Sequence, residues 1–388
     1  MIEVPRLACI AQSTITDAPG VGGFDESPEL GVAESLLGVV SLCLIACFIA
    51  SFISWVRLCR AGRTPFGSKP LIASQSYSMP FWNAFDFVLL LGVLLVATNL
   101  LSMLFDVAGW NPQSDESEDA PVTMSVPQLA MSSMGTLLAM LGTVGLLRLR
   151  SSSVLSKLGL IPSKSMLVLG LRGAVLILPP TMILMALVSL LQEYSHPVLE
   201  ALQSEGEGDP GKWGVFGMLF VTTAIIAPVF EEFWFRALLQ GGLQRLADGS
   251  KPPSASNAPR VGSLDQQDPQ GATTDEPSDS FTDGDSPAEP SSAAVVWQPY
   301  SPGTELDEPA PAIAWQPVAI WPMVVASMVF SAMHLGQGLA PIPLFFLSLA
   351  MGYLYRQTGS LVPSIIVHMI LNGLTMTVTL LEILRGVG

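Results

Sequence analysis

Long apolar runs recur along this chain, and they leave few folds open to it. Candidate membrane spans lie at about 36–56, 86–105, 128–147, 166–191, 213–235, 318–333, 342–355 and 362–384. Most reach the roughly 20 residues needed to cross a bilayer. The sixth and seventh are short and need tilt or cover from their neighbours. The runs are continuous, whereas the strands of a membrane barrel alternate apolar and polar residues. The expected fold is therefore all-α: a polytopic helical membrane protein of about eight transmembrane helices. Composition agrees, with 50% hydrophobic and 13% charged residues, where soluble domains carry roughly 25% charged.

The net charge of −15 is uneven. Residues 247–316 hold twelve acidic side chains against Lys251 and Arg260, together with eleven prolines. So little apolar material cannot offset chain entropy, and disorder is expected there. The acidity thus describes a loop and excludes a nucleic-acid-binding surface. Val295, Val296, Trp297 and Trp315 read as isolated apolar residues of that linker. The chain divides into a polar N-terminal tail (1–35), a four-span region (36–212), a membrane core (213–246 and 317–388) and the acidic insertion (247–316).

Basic residues orient the spans. The loop after the first span carries Arg57, Arg60, Arg63 and Lys69, and the loop after the third carries Arg148, Arg150, Lys157 and Lys164. The alternate loops are acidic. Both termini are then expected outside a cell (inner) membrane, with the insertion in the cytoplasm. No signal peptide is evident in the polar, acidic first 35 residues. Cys43 and Cys47 share a face of the first span, Cys59 is placed just beyond it, and Cys9 lies in the tail. No metal or disulfide spacing results.

Glu231-Glu232 and Arg236 follow a charge-free apolar stretch. Such groups cost about 2.5–3.5 kcal/mol each at a helix centre on insertion scales and are usually kept for function. Glu232 and Arg236, at i and i+4, can pair. Adjacent helix residues point about 100° apart, so Glu231 is expected to serve a different contact, as a general base. Pro228, one turn earlier, should open the helix and expose carbonyls. Downstream, Phe330 and His334, then His368 and Asn372, stand four residues apart. A carboxylate and a histidine can hold a water, and His and Asn can donate to an oxyanion. Alternatively Glu231, His334 and His368 could ligate zinc with a fourth position open. His196, before Pro197, is left out of the site.

These pieces resemble, in order, the CAAX protease and bacteriocin-processing (CPBP) family of intramembrane proteases, which includes the Ras-converting CAAX endopeptidase. The family pattern EExxxR matches Glu231, Glu232 and Arg236; FxxxH matches Phe330 and His334; HxxxN matches His368 and Asn372. The stretch MGYLYRQTGSLVPSIIVHMILNGL is similar to the family's approach to its last motif. The resemblance implies an endopeptidase acting on a peptide or protein substrate within the bilayer. It implies that Glu231 and His334 activate water, with His368 and Asn372 at the oxyanion, Glu232 beside them, and Arg236 and Phe330 in support. It leaves metal dependence, with zinc as the candidate, open. The acidic insertion departs from the family pattern without touching a motif residue. The rival reading is a non-proteolytic scaffold or a proton-coupled transporter, which no inverted repeat supports.

Overall fold

The computed structural model describes residues 28–110, 126–191, 211–249 and 315–384. Most of these residues are helical, with β pairing among them limited to the isolated bridges Thr64–Pro70 and Tyr77–Trp315. The helices are α1 (Pro28–Arg60), α2 (Phe85–Val107), α3 (Val126–Arg150), the short α4 (Val154–Lys157), α5 (Lys164–Ser189), α6 (Trp213–Asp248), α7 (Trp321–Ala332), α8 (Pro341–Thr358) and α9 (Val362–Leu384). Six of them, α1, α2, α3, α5, α6 and α9, are long and apolar enough to cross a membrane. The remaining two expected spans are α7, with 12 residues, and α8, with 18. The acidic loops, His196 and the interior of the insertion (250–314) lie outside the described residues.

Three boundaries need correction. The first helix begins at Pro28, inside the expected tail, and runs to Arg60, so Cys59 is helical. The fifth span does not end at residue 235 but continues to Asp248 over 36 residues. The Glu pair therefore sits mid-helix. The two ends of the expected insertion pack on the helical core. Asp248 is buried, and its carboxylate accepts from Val318 N at 2.9 Å and Ala319 N at 3.1 Å. Arg356 donates to Pro317 O at 2.8 Å and Val318 O at 2.9 Å. Trp315 exchanges backbone bonds with Tyr77, and their rings meet edge-on at 5.2 Å. Burial pushes the Tyr77 phenol well above its usual range, so it keeps its proton and donates to Arg356 O at 3.2 Å.

α6 is central. On one side α2 and α3 pack against it; on the other lie α7, α8 and α9, with α5 behind and α1 outermost on α5 and α9. Trp234 stacks on Phe87 and donates to Phe87 O at 3.1 Å; Trp82 donates to Ala237 O at 2.7 Å. Both polar ring atoms are thus satisfied, as buried Trp requires. α5 meets α9 through Gly170 and Gly173. A Cβ on Gly170 would come within 2.8 Å of Ile366, and one on Gly173 within 3.4 Å of Val367. Small residues let membrane helices approach closely, and this approach fixes the turn that carries His368. The start of α9 is pinned by Gly359, at φ 65°, whose missing Cβ makes room for the Tyr77 ring. A side chain there would be both strained and blocked.

Candidate active site

The sequence of α6 around Pro228 explains its irregular winding. Proline has no N–H to give to the preceding turn. The helix widens to π geometry over Thr222–Ile226, where the N–H of Ala227 reaches back to Thr222 O. The next bond of that pattern would run from residue 228 to Thr223 O, and Pro228 cannot make it. Asn372 Nδ2 supplies it instead, donating to Thr223 O at 2.9 Å. The carbonyl expected near the site is therefore capped from α9. The amide expected at the oxyanion has committed one of its two hydrogens to that cap.

A second π stretch, Phe233–Gln240, follows the Glu pair. Glu232 is fully buried and accepts from Arg236 Nε at 3.1 Å. Its other oxygen faces His368 Nδ1 at 3.1 Å. A carboxylate only accepts, so Nδ1 carries the hydrogen. Glu231 is 25% exposed, and its Oε2 lies 3.7 Å from His368 Nε2. The expectation that the two acids serve different contacts fails here: both face His368, at its two ring nitrogens. The 100° between them is absorbed because the imidazole is itself two-sided.

Phe330 organises the other half. Its carbonyl accepts from His334 Nδ1 at 2.9 Å, which leaves Nε2 of that ring with a free lone pair. Its ring centroid stands 5.0 Å from that of His334, 5.9 Å from that of His368 and 5.2 Å from that of Phe235. The Arg236 guanidinium lies 5.4 Å over its face, a favourable placement for a desolvated cation. Arg236 Nη2 donates to Ser348 Oγ at 2.9 Å. Ser348, on α8, was not singled out by sequence reasoning; a small polar residue in an apolar helix was its only signal.

All seven expected residues thus fall in one region of the fold, in two tiers. Glu232, Arg236 and Ser348 are sealed, while Glu231 and His334 retain exposure. Zinc would need three donors about 2.0–2.2 Å from one point. His368 gives Nδ1 to Glu232 and His334 gives Nδ1 to Phe330 O, the outer contacts that zinc-bound imidazoles also make, so Glu231 and the two Nε2 atoms are the donors that could hold the ion. Among the described residues no group of three His, Cys, Asp or Glu side chains converges to hold a metal ion.

Residues 307–374 match the family described as type II CAAX prenyl endopeptidase Rce1-like. The match takes in α7, α8 and the half of α9 bearing Phe330, His334, His368 and Asn372; the Glu pair lies ahead of it. No curated protein and no solved structure matches the chain.

Proposed function

We propose that this chain, Rce1-like over residues 307–374, is an intramembrane endopeptidase that hydrolyses a peptide bond with water activated by side chains alone. The observation that carries this reading is the division between two adjacent carboxylates. Glu232 is sealed in an ion pair, whereas Glu231 is 25% exposed beside an imidazole. A sealed acid positions; an exposed one can meet water.

In this mechanism Glu231 takes a proton from a water that also hydrogen-bonds to the free Nε2 of His334. The water oxygen attacks the scissile carbonyl carbon, and the C–O bond forms as the carbonyl electrons move to oxygen. His368, carrying a hydrogen on each nitrogen as the imidazolium and held from behind by Glu232, donates from Nε2 to that oxyanion, together with the uncommitted amide hydrogen of Asn372. Collapse breaks the C–N bond, and the proton on Glu231 passes to the departing amine. Glu232 is then a positioning residue and not a catalytic one. The bias of basic residues to alternate loops supports a cytoplasmic side for the insertion and for its roots at Asp248 and Trp315.

A trap tests this without presupposing the substrate. The Glu231→Gln protein is purified from native membranes, and its bound peptides are identified by mass spectrometry. Adding wild-type protein should convert the retained peptide into two fragments joined by one missing bond, with 18O from labelled water in the new carboxylate. Retained peptides that wild-type protein leaves intact would refute the peptidase.

A further inference from the structure

Glu232, Arg236, Gln240, Gln244 and Asp248 stand at successive intervals of four along α6, and all five are at most 4% exposed. In a plain α-helix such a row would drift by about 40° per step. The π stretch Phe233–Gln240 winds more loosely and lets the row fall back, so it keeps facing one neighbour. That neighbour is α8. Ser348 takes the Arg236 bond, Gly352 O accepts from Gln240 Nε2 at 2.9 Å, and Arg356 shares Ala319 O with Gln244. A polar seam therefore runs between two membrane helices, from the Glu232–Arg236 pair to the roots of the insertion.

The seam is incompletely bonded. Five buried side-chain polar atoms lack a hydrogen-bond partner among the described residues, and three of them lie on this row: Arg236 Nη1, Gln240 Oε1 and Gln244 Oε1. Turning the amides over does not help. Gln240 Nε2 meets a carbonyl, and Gln244 Nε2 meets Ala319 O and the Asp248 carboxylate. All of these accept only, so the free oxygens are fixed where they are. Gln240 and Gln244 also line a cavity of about 10 Å³ with Tyr77, Gly241, Trp315 and Tyr355. That volume is near the threshold for a single water.

We propose that the α6–α8 seam is a water-binding file that leads from the insertion's roots to the Glu232–Arg236 pair. Waters bonded to Gln244 Oε1, Gln240 Oε1 and Arg236 Nη1 complete groups that would otherwise be costly to bury. The file gives a hydrolytic site in an apolar surround a supply of its reactant. That supply role rests on the peptidase reading; the water sites themselves do not.

Two buried methionines permit a direct test. A Cβ on Gly352 would sit 2.8 Å from Met323 Cγ and 2.9 Å from Gln240 Oε1, so Met323 lies against the file. Met376, equally buried, packs in the apolar cluster of Val215, Phe216 and Leu219. The wild-type protein in lipid nanodiscs is exposed to brief hydroxyl-radical pulses in 18O water, and sulfoxide formation is followed by mass spectrometry. Hydroxyl radicals form from water, so Met323 beside ordered water should oxidise measurably faster than the dry Met376. Gln240→Leu should bring it down to the Met376 rate. Equal rates in the wild-type protein would overturn the file, and this readout requires no cleavage. If the chain proves inactive yet Met323 is labelled, the peptidase reading falls and the file stands. In an active peptidase Gln240→Leu should lower kcat and leave KM, because it withholds water and not peptide; an unchanged kcat with labelling abolished would overturn the supply role.

Discussion

Removing the Arg236 charge is the most revealing single perturbation of this site. Arg236 and Glu232 are both 0% exposed, joined at 3.1 Å. The same guanidinium donates to Ser348 at 2.9 Å and covers the Phe330 ring. Arg236→Met keeps most of the stem and deletes the charge. Breaking a buried pair by losing one partner costs about 3–5 kcal/mol, because the remaining charge is left uncompensated. The ring contact adds up to about 2 kcal/mol when desolvated, though contributions at one residue do not simply sum. Against a total stability of about 5–15 kcal/mol, the loss should be plain in the midpoint of unfolding in detergent. The diagnostic variant is Glu232→Gln with Arg236→Met. With both charges gone no uncompensated ion remains, and replacing a buried pair by neutral groups is often close to neutral. The double variant should therefore unfold later than Arg236→Met alone. An unchanged midpoint in the single variant, or a double variant no better than the single, would refute a sealed ion pair.

Further outcomes follow from the same contacts. Asn372→Leu should cost about 1–3 kcal/mol by leaving Thr223 O without a donor, and Pro228→Ala should cancel much of that loss by restoring the helix N–H, as a double-mutant cycle of unfolding midpoints would show. Glu231→Ala and His334→Ala should each lower cleavage of the trapped peptide by about 10²–10⁴-fold while leaving the unfolding midpoint close to wild type, the range expected for a positioned acid–base group. Replacing residues 249–311 by a short Gly/Ser linker should preserve cleavage, because Asp248, Trp315 and the bonds to Val318 and Ala319 all lie outside the deletion; loss of activity in a folded protein would show that the segment takes part.

Much of this protein was legible because its determinants are local. Membrane helices announce themselves by run length, since hydrocarbon thickness fixes how many apolar residues are needed; α9 fell on Val362–Leu384 as expected. The Glu232–Arg236 pair needed only four-residue spacing on one helix. What required the tertiary structure was every partner that arrives from far along the chain. His368 lies 136 residues from Glu232, and its two nitrogens engage both acids, which no helical wheel of α6 alone can show. Asn372 looked like an oxyanion donor by its place beside His368, yet its first obligation is the carbonyl that Pro228 orphans 149 residues away. The end of α6 was lost for a related reason. Run-averaged hydropathy counts side chains all round a helix, so Arg236, Gln240, Gln244 and Asp248 read as an exit from the membrane. Burial acts on one face at a time. Once α8 supplies Ser348, the Gly352 carbonyl and Arg356 opposite that face, the polar row is the inside of the protein.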